Sequence, residues 1–273
     1  MSSNKLKSGL LFVFWVFIML VYLFPFIWII MTAFRDPIDT YGWPPKFFFI
    51  PKLDAFYKLF GELNILRYLK DSLIIGSATA ILTLLLTAPA AYALSHKKLK
   101  RSRGLLFGLL LGRVVPGIAL VIPVFILFNK LNLYDTYQGL ILIYTVINIP
   151  FAIWVLRSFF MEIPESIREA AIIDGCSEFN AFLRIILPLS RIGLITSAIF
   201  IFIACWNEFI FAFILTGRNI DTITLLMKGF KTQYSTEWAQ MGASVILASL
   251  PIIVFAMILQ KFLVRGLTMG SVK

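Results

Sequence analysis

Residues 161–190 read MEIPESIREAAIIDGCSEFNAFLRIILPLS. This stretch lies between two long apolar runs and is itself mixed. Pro164 suits a first helical turn, where its missing N–H costs nothing. Ser166 and Glu169 have the spacing of a capping box. Ile167, Ala170, Ala171 and Ile173 give an apolar face, and Gly175 can end the helix in a left-handed conformation. A second short helix is predicted from near Ser177 to Ile186, with Pro188 kinking or ending it. The stretch therefore predicts two short amphipathic helices at an angle, too polar to insert in hydrocarbon. Such a pair lies on a lipid surface or docks to another protein.

Working outward, six apolar segments flank and precede this loop: about Leu10–Phe34, Ser72–Leu94, Leu105–Phe128, Gly139–Phe160, Leu189–Thr216 and Met241–Val264. Each is near the ~20 residues that a helix needs to cross hydrocarbon. They are too long and too continuously apolar for barrel strands. Of the 273 residues, 60% are hydrophobic, and mean hydropathy is +0.90. A soluble domain is nearer ~45–50% apolar, so the expected solvent is lipid. The fold class expected is an all-α membrane protein of six transmembrane helices. The mixed loop then lies between spans four and five. Leu10–Phe34 carries no charge and exceeds the length of a signal-peptide core, so it is expected to be a retained first span.

Twenty-five Lys and Arg against 14 Asp and Glu give a net charge of +11. In a chain of this composition the excess fits the positive-inside rule and calls for no nucleic acid. The short loop His96–Gly104 holds five basic residues and no acid. The outer segment Arg35–Asp71 mixes both signs. Both termini and the loop 161–188 are therefore expected in the cytoplasm. Two cysteines, Cys176 and Cys205, indicate no disulfide framework, and one histidine, His96, cannot build a zinc site. No metal or cofactor is expected on this chain. It has no G-x-x-x-x-G-K-[ST] phosphate loop, so energy for transport would come from a partner. Without H-E-x-x-H or G-x-S-x-G, an enzyme reading has little support.

The pattern Glu169-Ala170-Ala171, three residues, Gly175, nine residues, Ile185, one residue, Leu187-Pro188 resembles the EAA loop of ABC-importer permeases. The whole chain is similar to the smaller, six-span permease of the maltose-type carbohydrate importers. The stretch Ala90–Leu94, the cluster Trp206-Asn207-Glu208 and the tail Gly266-Leu267-Thr268-x-Gly270 carry that likeness. The resemblance implies one permease domain over 1–273, with 161–188 as its coupling loop. It implies that Glu169, Ala170, Ala171, Asp174, Gly175, Leu187 and Pro188 form the contact with an ATPase. Implied partners are a second, different permease, two ATPase subunits carrying ATP and magnesium, and an extracytoplasmic solute-binding protein. The implied setting is a bacterial or archaeal plasma membrane. The implied solute is a sugar or oligosaccharide, with glycerol phosphate or another anionic polyol as the alternative.

Polar residues inside spans are expensive and require a reason. Trp206, Asn207 and Glu208 could line the translocation path, Asn and Glu bonding hydroxyls while Trp stacks on a ring. The same residues could instead serve helix–helix hydrogen bonding. Arg113 and Asn148 are further path candidates, and Arg113 would suit an anionic solute. Gly104, Gly108 and Gly112 share a helix face and suggest close packing. Pro89, Pro116, Pro123 and Pro150 are expected to break spans two to four. An ion-coupled secondary transporter is the rival reading, resting on Glu208 alone.

Overall fold

The computed structural model describes residues 2–95, 102–231 and 235–269, without the side chains of 2–7, 102–103 and 261–269. The basic loop at His96–Arg101 and Gly270 therefore lie outside the described residues. The apolar runs fold as helices, because backbone donors in hydrocarbon must be satisfied within their own segment. No strand occurs among the described residues, and Lys231 and Thr236 form an isolated bridge. The helices are α1 (Ser2–Ala33), α2 (Asp54–Gly61), α3 (Ile65–Ser95), α4 (Ser102–Gly112), α5 (Gly117–Lys130) and α6 (Tyr137–Met161). They continue as α7 (Glu165–Ile173), α8 (Glu178–Ala181), α9 (Leu187–Leu189), α10 (Arg191–Trp206), α11 (Ile210–Leu215), α12 (Ile223–Gly229) and α13 (Trp238–Met269).

Four apolar stretches are continuous and long enough to cross a membrane: Ser8–Ala33, Ile65–Ser95, Tyr137–Met161 and Trp238–Gln260. Two more are bent. The pair α4–α5 turns by 80°, and Glu178–Leu189 turns by 75° against α10. The number of spans reaches six if each bent pair is one span. The third apolar run is thus a broken element. Pro116 stands at its break with an extended ψ of 130°, and it biases Val115 away from the helical region. Pro89, Pro123 and Pro150 do not break their helices, contrary to expectation. Each removes one donor, and the surrounding turns continue. The fifth run stops at Trp206 and resumes as α11, with Asn207–Phe209 between them.

The chain divides into two compact units. The first comprises Met1–Leu66 and Met227–Leu250. In it, α1 presents an apolar surface that the described residues leave exposed over most of its length. Its end is anchored. Ala33 is buried, and Lys52 N–H donates to the Phe34 carbonyl at 2.8 Å. The rings of Phe34 and Phe56 lie 5.1 Å apart. Gly242 of α13 faces the backbone of α1. A Cβ there would sit 3.0 Å from the Ile29 carbonyl oxygen and 3.1 Å from the Ala33 nitrogen, so the two helices cross where there is no side chain.

The second unit comprises Arg67–Leu226 and Pro251–Lys273. Among the described residues it holds two apolar cores. One gathers Ile75, Val121, Leu140, Tyr144, Ile201 and Phe211. The other gathers Ala91, Leu106, Leu156, Phe160, Phe182 and Ile186. Glycines set the helix approaches here too, but not the expected ones. A Cβ added at Gly104, Gly108 or Gly112 would meet nothing within 4 Å, so that stripe packs nothing among the described residues. Gly76 instead lies under the Phe202 ring, which would stand 2.9 Å from an added Cβ, and Gly193 lies under Phe159, at 2.5 Å.

Candidate functional site

The loop 161–190 does form two short helical stretches, Glu165–Ile173 and Glu178–Leu189. Pro164 is the N-cap of α7, with ψ 132° and no side-chain capping bond. Ser166 therefore falls inside the first turn, and the expected capping box is not made. The other end agrees with expectation. Gly175 takes φ +88°. The Cys176 N–H donates to the Ala171 carbonyl and the Gly175 N–H to the Ile172 carbonyl, both at 3.0 Å. This bond pair is a Schellman cap, and its left-handed residue is the reason for a glycine. Ser177 caps α8, its hydroxyl accepting from the Asn180 N–H at 3.3 Å.

The second helix differs from expectation. It passes through a π-helical turn at Phe182–Ile186 and runs on through Pro188 to Leu189. The Leu187 N–H reaches back to the Phe182 carbonyl. Widening this turn makes room for the proline ring, so the break comes later, at Ser190. Tyr92 of α3 stacks on Phe182 with centroids 4.9 Å apart, and its edge meets Phe160 of α6. Arg157 Nε donates to the Leu94 carbonyl at 2.9 Å, which caps the end of α3. The π turn is thus seated on two long helices.

Arg168 bridges α7 and α8. It meets Glu165 Oε1 at 2.7 Å and Glu178 Oε1 at 2.5 Å. Its hydrogen bond to Glu165 holds the guanidinium above its already high ordinary pKa. Sequence reasoning missed this residue, although Glu165 lies three residues before Arg168, a spacing that places them on one helix face. Of the expected contact residues, Glu169, Ala170, Asp174 and Gly175 are exposed, and Ala171 is buried. Ile173 is 85% exposed, so it belongs to no apolar face packed within the chain. Leu187 is half-buried and Pro188 exposed.

The intramembrane candidates separate. Trp206 is buried and stacks on Phe202, with centroids 5.4 Å apart. Asn207 is exposed and donates to the Ile203 carbonyl at 2.9 Å. Glu208 caps α11, accepting from the Phe211 N–H at 3.1 Å and the Ala212 N–H at 3.2 Å. Such first-turn donors otherwise lack partners, and a carboxylate suits the positive end of a helix. Tyr144 of α6 also donates to Glu208, at 2.8 Å. The three residues therefore do not converge on one wall, and Glu208 fits the helix–helix bonding alternative. Asn148 is buried and donates to the Tyr144 carbonyl at 2.8 Å. Arg113 is exposed at the α4–α5 break, its guanidinium 5.1 Å from the centre of the Phe151 ring.

A polar clamp that sequence reasoning did not find fixes the segment after α11. Asp135 sits at φ +54° between α5 and α6. Its carboxylate accepts from the N–H groups of Gly217, Arg218 and Asn219 at 2.8, 3.0 and 3.1 Å. Burial alone would raise its pKa, but these backbone donors outweigh burial and hold it below 3.8. Asp71 is buried and accepts from the Tyr137 hydroxyl at 2.6 Å and the Asp221 N–H at 3.1 Å. Ser72 accepts from the Ile223 N–H at 2.8 Å. Arg67 reaches the carbonyls of Arg218 and Asn219 and pairs with Asp221 at 3.2 Å. Burial raises the Asp221 pKa, while Arg67 opposes the rise.

Four long apolar helices, two bent helix pairs and an exposed short-helix pair make this an α-helical membrane protein. A solved bacterial ABC transporter involved in the import of the acidic polysaccharide alginate has the same fold. Its TM-score is 0.79 at 20% identity, covering 96% of this chain and 98% of that one. The family model "Binding-protein-dependent transport system inner membrane component" matches residues 83–269. The chain belongs to that family. A probable ABC transporter permease protein of Sinorhizobium fredii is 47% identical over 272 residues, covering 100% of this chain and 98% of that protein. The trehalose/maltose transport system permease protein MalG of Thermococcus litoralis is 34% identical, covering 100% and 99%.

Proposed function

We propose that this chain is one half of the translocation pathway of an ATP-driven carbohydrate importer, and that α7–α9 is its coupling element. The supporting observation is the exposed surface of Glu169, Ala170, Ile173 and Asp174 on a helix pair fixed by Arg168 and the Gly175 cap. A rigid polar–apolar ridge of this kind suits a cleft in another subunit. In this reading the chain is one permease domain with six spans: α4 with α5 counts as one, and α10 with α11 as another. Its termini and loop 161–188 face the cytoplasm.

The assembly comprises this chain, a second and different permease, two ATPase subunits and an extracytoplasmic binding protein. ATP and magnesium are held by the ATPases, and this chain carries out no covalent chemistry. Closure of the ATPases draws the coupling elements together and turns the pathway outward. Glu169, Ala170, Ala171, Asp174, Gly175, Leu187 and Pro188 serve the ATPase contact. Asn207 and Arg113, both exposed beside helix breaks, are the path residues that remain. Trp206, Asn148 and Glu208 instead hold the bundle. The carbohydrate assignment is supported by relatives named for trehalose and maltose transport. An anionic sugar or polyol is the second reading, favoured by Arg113 at an open break.

The test is affinity purification of the tagged chain from its native membrane in mild detergent, followed by mass spectrometry. Co-purification of an ATPase and a second multi-span subunit is expected. A chain that transports without ATP would overturn the proposal and return Glu208 to an ion-coupled mechanism.

A further inference from the structure

Arg35 stands directly after the apolar run of α1, where a membrane-spanning helix meets the interface. It is 4% exposed, yet Nε and Nη2 find no hydrogen-bond partner among the described residues. Its guanidinium lies 4.7 Å from the centre of the Trp28 ring and 5.2 Å from that of Phe49. Aromatic rings offset part of the desolvation of a cation but accept none of its in-plane hydrogen bonds. The neighbouring carboxylates are already engaged. Asp36 is bound by Lys52, whose hydrogen bond lowers its pKa, and Asp39 meets Lys46 at 2.5 Å.

Arg35 lines a chamber of about 390 Å³ within the first unit. Thr32, Thr40 and Arg35 supply polar walls, and Ile29, Met241 and Val245 supply apolar ones. Trp28 and Trp238 also line it, and such rings favour the headgroup level of a bilayer. Gly242 contributes backbone surface where α13 crosses α1. A buried guanidinium with unpaired donors matches a phosphate in charge and hydrogen-bonding need. The apolar walls adjoin the exposed apolar surface of α1.

We propose that this chamber binds a phosphate-bearing anion through Arg35, and that the anion is the headgroup of a phospholipid whose chain follows the apolar wall. An amphiphile satisfies both halves of the chamber, whereas inorganic phosphate satisfies only the arginine. The site would tie α1 to α13 at the membrane boundary. It rests only on the chain being membrane-embedded, not on the solute or on the ATPase contact.

The test uses the assembled transporter purified in detergent, with bound lipid counted by mass spectrometry after stepwise delipidation. Wild type is expected to keep an anionic phospholipid that Arg35→Gln releases, with retention falling about tenfold for a lost charged hydrogen bond. Met241→Trp leaves the arginine in place and narrows the apolar half, and it should also release the lipid. Thermal shifts with short-chain phosphatidylglycerol and with inorganic phosphate separate the two sources. A shift with the lipid alone supports the proposal. An equal shift with phosphate alone would overturn the lipid assignment. Equal lipid retention by wild type and both variants would overturn the site.

Discussion

Arg168 Nη1 meets Glu178 Oε1 at 2.5 Å across the angle between α7 and α8, while Nη2 meets Glu165 at 2.7 Å on its own helix. One guanidinium thus bridges two short helices that share little core. The arginine side chain is 13% exposed, but the glutamates are 63% and 51% exposed. Solvent therefore screens the pair, and its role is to fix geometry rather than to add much stability.

Glu178→Gln should leave folding nearly unchanged, by at most about 1 kcal/mol for an exposed pair. Co-purification of the ATPase should fall, and the deficit against wild type should narrow at high salt, where the wild-type pair is itself screened. Pull-down yield at two ionic strengths checks this.

Gly175→Ala and Gly175→Asp place a side chain at φ +88°. The added Cβ would meet nothing within 4 Å, so the cost is conformational, about 1–2 kcal/mol. The chain should still reach the membrane, with transport reduced. Uptake at wild-type rate by Gly175→Asp would contradict the coupling role.

Asp135→Asn should destabilise the segment after α11 by about 1–3 kcal/mol, because backbone donors lose a charged acceptor. The pH dependence has a definite sign. The Asp135 pKa is lowered, so its contribution is fully present above its ordinary 3.8 and is lost as pH falls through the lower folded value. Asp221 has the opposite sign. Its raised pKa means protonation costs less in the folded state, which partly offsets the loss. Thermal unfolding of wild type and Asp135→Asn from pH 7 down to pH 3 measures the difference.

Glu208→Gln keeps one amide oxygen to accept from the α11 N-terminus and from Tyr144, so transport should persist within about threefold. Glu208→Ala should lower thermal stability and transport together. A well-folded Glu208→Gln that no longer transports would show direct contact with solute or ion.

Gly193→Val should displace Phe159, whose ring carbon would lie 2.5 Å from the new Cβ. Overpacking of this kind costs about 1–3 kcal/mol. Gly108→Val should be nearly neutral in the isolated chain, because that glycine faces open space. Melting temperatures of the two variants check the contrast.

Much of the architecture was legible in the chain. The apolar runs located the helices, since a window of ~20 apolar residues has few other solutions. The loop 161–190 was legible in finer detail, because glycine at a helix end is a local signal. Its capping box failed because Pro164 took the cap position and moved Ser166 inside the helix. The break at Pro116 and the continuity at Pro89, Pro123 and Pro150 were not separable by residue type. Proline removes the same donor at each, and neighbouring packing decides the outcome.

By itself, the sequence determined an all-helical membrane chain, the positions of its apolar segments and the left-handed turn at Gly175. Tertiary structure alone decided where polar side chains point. Tyr144 and Glu208 are 64 residues apart, and Arg67 and Arg218 are 151 apart. Spans that are apolar on every side carry no periodic record of which face turns inward. Local chemistry therefore makes the helix, and distant partners choose its face.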